Sequence, residues 1–144
     1  MKNFILLSSP LKENGTSFAI LLLRVFVGVL MITHGWQKIQ NFATLSEFFP
    51  DPIGFGSRFS LMLAIAAEVF GSIFLIFGLL TRLTLIPLGF TMGVAFFIVH
   101  ANDPFQQKEL ALFFLGVYIV LFLLGPGKFS LDRMVLARFL KTKN

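Results

Sequence analysis

The stretch "IAAEVFGSIFLIFGLLTR", residues 65–82, decides the fold. Runs of about 18 or more apolar residues are candidate membrane spans, and this one carries Glu68 well inside it. A charge at the centre of such a span costs about 2.5–3.5 kcal/mol on insertion scales. The glutamate therefore needs a partner or a proton, and it marks the place to look for a site.

Three further apolar runs flank this one. They cover Phe18 to Ile39, Leu83 to Ala101 and Leu110 to Leu124, and the stretch itself widens to Phe59 to Leu80. The last is only about 15 residues, so it borrows flanking turns, giving spans at about 18–39, 59–80, 83–101 and 109–125. Helices are expected because lipid leaves no partner for unsatisfied backbone groups. The fold class is all-α integral membrane, a four-transmembrane-helix bundle, with residues 1–144 forming a single domain. The composition agrees: 56% of the residues are hydrophobic, 13% are charged and 20 are phenylalanine.

The apolar core of the N-terminal segment, Phe4 to Leu7, is broken by Ser8, Ser9 and Pro10, too short for a secretory h-region. Residues 1–16 read as a retained tail, with the first helix starting near Thr16 and Ser17. The C-terminal segment "GPGKFSLDRMVLARFLKTKN" alternates Leu131, Met134, Val135 and Leu136 with basic residues after a Gly-Pro-Gly stop. This pattern predicts an interfacial amphipathic helix at about 129–141. Lys128, Arg133, Arg138, Lys141 and Lys143 place that tail in the cytoplasm, and an even number of spans puts the N-terminus beside it. The net charge of +5 belongs to residues flanking spans, so anionic lipid is the expected partner and nucleic acid is not.

Arg24 is the expected partner of Glu68. With the span midpoints taken as level, the two lie roughly 7 Å and about 2 Å to opposite sides of the centre, within reach of long side chains. Arg24, Gly28, Met31, Gly35 and Lys38 form one helical seam, and Glu68, Gly71, Leu75, Gly78 and Arg82 form another. Glycine lets membrane helices approach closely, so these seams are read as packing faces. Gly93 in the third span and Gly116 in the fourth are read in the same way, the latter on a face with Glu109, Phe113 and Val120. Pro87 is expected to kink the third span or mark its first turn.

His34, Lys38, His100 and Glu109 lie near the outer helix ends and are expected to cluster above the Arg24–Glu68 pair. Trp36 reads as an interface anchor. Tyr118 is either a core hydroxyl or a headgroup contact. No metal is expected, since no H-x-x-x-H or H-E-x-x-H spacing occurs. Cysteine is absent, so disulfides and thiolate relays are excluded, and redox electrons would travel on a cofactor, a quinone or another subunit.

The ordered set of Arg24, His34-Gly35, Lys38, Glu68, Gly71, Thr81-Arg82, His100, Glu109-Leu110-Ala111 and Gly125-Pro126-Gly127 resembles the DoxX family of small bacterial inner-membrane proteins. The resemblance runs from about Ser17 to Asp132. It implies a four-helix membrane bundle. Related proteins are linked to thiosulfate:quinone oxidoreduction and to membrane complexes that handle oxidative or thiol stress. More distant relatives resemble vitamin K epoxide reductase, whose cysteine chemistry does not carry over to this cysteine-free chain.

The leading functional expectation is an auxiliary subunit of a membrane redox system, without catalysis of its own, holding a quinone or other lipophilic ligand in a polar intramembrane pocket. Glu68 would be the proton exchanger. Arg24, His34, Lys38, His100 and Glu109 would be the other ligand-binding candidates, and redox-enzyme subunits the partners. The alternatives are a small proton-coupled transporter, which would function as a homo-oligomer, and a non-catalytic scaffold or assembly factor.

Overall fold

A computed structural model describes residues 13–141, with side chains through Arg138. Among these described residues six helices run in order: α1 Glu13–Gln40, α2 Phe42–Phe48, α3 Ser57–Phe77, α4 Thr81–Val99, α5 Phe105–Leu124 and α6 Leu131–Lys141. No strand occurs among the described residues. Helices α1, α3, α4 and α5 are each long and apolar enough to cross a membrane. The protein is an all-α membrane bundle.

The chain is already helical at Glu13, so the first helix does not start at Thr16 and Ser17; residues 1–12 of the expected tail lie outside the described residues. The fourth span is longer than its apolar run, because α5 begins at Phe105 behind Pro104 and continues to Leu124. Proline suits this N-cap position just ahead of the helix, where its missing N–H is not needed by the helical hydrogen bonds. Pro87 is carried inside α4.

In the bundle α1 packs on α3, α3 on α4, and α4 on α5, while α5 returns to α1 and closes the ring. Val27, Met31, Leu75, Leu88, Phe114 and Tyr118 meet at the centre. Two of the expected glycine contacts are made at α1 against α3. A Cβ at Gly35 would sit 2.6 Å from Val69 Cγ2 and 3.1 Å from Glu68 Cβ, and one at Gly28 would sit 3.2 Å from the Ser72 carbonyl. Gly71 faces Leu88 across the α3–α4 contact.

Gly93 and Gly116 are not packing positions, since a Cβ at either would meet nothing within 4 Å. The buried face of α5 carries Phe114, Tyr118 and Leu121, leaving Phe113, Val120 and Glu109 exposed. A helix apolar all round carries no preferred stripe. Here the large rings fill the bundle centre, and the glycines are left on the outside.

Helix α3 contains a π-helical turn, Ala67–Gly71. Its wider turn keeps Ala64, Glu68 and Ser72, spaced four apart, on the buried side. The helix stops at Gly78, whose φ of +66° closes the turn. Two residues later Leu80 also takes a positive φ of 48°. Such a conformation is costly for leucine and needs support from its surroundings.

Candidate functional site

The support for Leu80 comes from the far end of the chain. Asp132, in the first turn of α6, accepts hydrogen bonds from the N–H groups of Leu80 (2.7 Å) and Thr81 (2.8 Å), the opening donors of α4. Its own N–H donates to the Gly78 carbonyl at 2.9 Å. The carboxylate thus caps α4 and neutralises part of the positive end of its dipole. Lys128 pairs with Glu13 at 3.0 Å, tying the same segment to α1.

Arg24 lies at the centre of this knot. Its guanidinium donates to the carbonyls of Pro126 and Phe129, the latter at 2.7 Å, with a longer 3.5 Å contact to Ile76. The side chain is wholly buried. A Cβ on Gly78 would lie 2.9 Å from the Arg24 guanidinium carbon and 2.6 Å from Ser130 Cβ. Only glycine fits there, on space as well as on φ.

The expected Arg24–Glu68 pair does not form. Gly35, not Arg24, stands level with Glu68, and eleven residues of helix separate Gly35 from Arg24, about 16 Å along the axis. Equating span midpoints failed because α1 is 28 residues long and crosses α3 with an offset. The partner of Glu68 is Lys38. Its ammonium reaches both carboxylate oxygens, at 2.9 and 2.7 Å. Glu68 is 1% exposed and the Lys38 side chain 24%.

This pair stands in the wall of a cavity of about 710 Å³ between α3 and α4. The lining is mostly apolar, with Ala64, Ala67, Phe70, Phe74, Phe90 and Val94 among the contributors. Lys38, Glu68 and His100 bring charged or hydrogen-bonding groups, and Ser60, Thr84 and Thr91 bring hydroxyls. An ammonium has three donors. Two are taken by Glu68, and the third has no protein partner among the described residues.

The other candidates are dispersed. His100 lines the cavity, with its Nδ1 2.7 Å from Asp103. His34 instead meets the Phe114 ring edge-on, with centroids 5.9 Å apart. Glu109 is exposed and makes no polar side-chain contact among the described residues. Of the four residues expected to cluster at the outer ends, Lys38 and His100 share the cavity lining, where they stand with Glu68. Tyr118 is a core residue, not a headgroup contact, being 1% exposed. Its hydroxyl and that of Ser72 have no protein hydrogen-bond partner among the described residues.

Asp51 and Asp132 carry roles that span counting does not reveal. Asp51 accepts from Gly54, Phe55 and Gly56 N–H and from the Ser60 hydroxyl. The Ser60 hydroxyl and then the Gly56 N–H hold its carboxyl below the usual carboxylate range. The run "DPIGFGS" contains the signal, an aspartate followed by glycines able to turn successive N–H groups back on it. Asp132 had no comparable local signal, because the turn it caps lies fifty residues away.

Comparison with known proteins agrees with this architecture. The DoxX family model matches residues 19–101. The chain is 34% identical to the Escherichia coli protein named "Inner membrane protein YqjF", over 81% of this chain and 91% of that one. It is 33% identical to the Bacillus subtilis protein named "Putative oxidoreductase CatD", over 80% and 85%. No solved structure matches.

Proposed function

Because the chain belongs to the DoxX family of membrane proteins, we propose that it is an auxiliary subunit of a membrane redox system, binding a quinone in the cavity between α3 and α4. Its setting in this reading is a bacterial inner membrane, in line with the name of the Escherichia coli relative. Both termini face the cytoplasm, on the side favoured by their basic residues.

The observation that carries the reading is the Lys38–Glu68 pair in the wall of an otherwise apolar cavity. Small-molecule sites have this character, a largely apolar space of roughly 300–1,000 Å³ with a few placed polar groups. The donor set fits a quinone. The free N–H of Lys38 and the ring of His100 can donate to carbonyl oxygens, and the phenylalanine-lined groove can take an isoprenoid tail. When bound, a quinone supplies two-electron, two-proton redox capacity. With a quinone bound, Glu68 would be the group placed to exchange a proton at a carbonyl oxygen, and Lys38 would orient that oxygen and balance the carboxylate charge. In this reading a partner subunit supplies the electrons, the chain having no thiol to pass them itself. The name of the Bacillus relative lends the redox setting further support.

The single tryptophan, Trp36, stands two residues from Lys38, and quinones quench indole fluorescence. Titrating a decyl-tailed quinone into the protein in nanodiscs should give saturable quenching. Glu68→Gln and Lys38→Met should each weaken the apparent affinity by about tenfold, the worth of a charged hydrogen bond. Unsaturable quenching that is identical in all three proteins would remove the cavity from the proposal.

A further inference from the structure

The connection between α2 and α3 is irregular but firmly tied. Asp51 receives the N–H groups of Gly54 at 3.0 Å, Phe55 at 3.1 Å and Gly56 at 2.7 Å. Gly54 and Gly56 reach this arrangement through positive φ values of +78° and +96°, which side-chain-bearing residues rarely adopt. A fourth bond, from the Ser60 hydroxyl at 2.7 Å, fastens the loop to the first turns of α3, where Ser60 is buried. Four donors on one carboxylate fix the loop to the span it precedes.

The residues so fixed form one end of the cavity. Phe49, Pro50, Pro52 and Ile53 line it together with Lys38 and His100, and each proline removes backbone freedom. The long side is built differently. It is bounded only by α3 and α4, and its lining residues Phe70, Leu83 and Phe90 are exposed at the bundle surface, each by more than half. In a membrane that surface meets lipid chains.

We propose that residues 49–56 are a fixed plug, latched by Asp51, which shuts the cavity from water at the Lys38 end, so that its occupant enters sideways from the bilayer between α3 and α4. The site then selects amphiphiles dissolved in the membrane over water-soluble molecules with the same head. Asp51 is a positioning residue, acting through the loop and touching no ligand. The inference deepens the cavity reading and rests on it. Its test uses no quinone, so the two can fail separately.

The absence of cysteine makes a single introduced thiol a clean probe. Ala67→Cys places one in the cavity lining. Proteoliposomes would be treated on both faces with a charged, membrane-impermeant thiosulfonate, or with an uncharged, lipid-soluble maleimide. With Asp51 intact, the lipid-soluble reagent should label at least about tenfold faster relative to its rate on a fully exposed control thiol. Adding Asp51→Ala should raise the water-borne rate by about tenfold, as expected for opening a local structure, and leave the lipid-borne rate unchanged. That unchanged rate also reports an intact bundle. Ser60→Ala, which removes only one of the four bonds, should raise the water-borne rate by less. Rapid water-borne labelling with Asp51 intact, or no change in either loop variant, would overturn the plug.

Discussion

At the end of the bundle near the termini, a guanidinium is caged by carbonyls of the chain itself; at the other, a carboxylate is held by a side chain that is partly exposed. Arg24 donates to Pro126 and Phe129 oxygens, which the turn after α5 holds in place. Glu68 has Lys38 as its one side-chain partner among the described residues, and a cavity lies beside the pair. The first arrangement has nowhere to move. The second has open space alongside, because both members of the pair line the cavity. Buried charge thus stands in two settings in one small bundle, locked among backbone carbonyls in one and beside a cavity in the other.

Replacing the cation at the fastened end should have the largest effect. Arg24→Met leaves buried carbonyls without a donor and should cost about 3–5 kcal/mol, since two charged hydrogen bonds worth about 1.5–3 kcal/mol each are lost. Thermal unfolding in mild detergent measures it, and a loss no greater than that of Lys38→Met would break the distinction between the two ends. Lys38→Met should cost less, about 2–3 kcal/mol, because Glu68 can take up a proton once its partner is gone. Adding Glu68→Met should recover most of that loss, since removing both members of a buried pair is often near neutral. Failure of the double variant to recover would mean that Lys38–Glu68 is a clamp of the same kind as Arg24.

Asp132→Ala tests the fastened end more gently. Loss of an N-cap costs about 1 kcal/mol, and here it also frees the strained Leu80 turn, so the destabilisation should reach at least that figure in the same unfolding assay. Gly93→Ala and Gly116→Ala should change stability by less than about 1 kcal/mol, with a gain in helix propensity the expected sign. A large loss at either would restore these glycines as packing positions, in contact with something beyond this chain.

Much of the architecture was legible in the sequence because its cause is local. Each span declares itself by a continuous apolar run, and the C-terminal helix by alternation of Leu131, Met134 and Leu136 with basic residues. The glycine seam of α1 was equally readable, since a step of three and four on a known helix fixes a face. Gly28 and Gly35 do bring α1 against α3. On α4 and α5 the same reasoning picked the wrong face, because in lipid small and apolar residues sit as well outside as inside.

The sequence by itself determined that the chain crosses a membrane, that Glu68 is buried, and that no thiol chemistry is available to it. These follow from composition and from the cost of charge in hydrocarbon. Tertiary structure alone decided which cation meets Glu68, where Arg24 is spent, and that a loop aspartate ties residues beside the cavity to α3. The physical reason is that periodicity fixes the face a residue occupies on its own helix, whereas the sliding of one helix along another fixes its depth. The 16 Å or so between the levels of Arg24 and Gly35 is large enough to exchange one ion-pair partner for another.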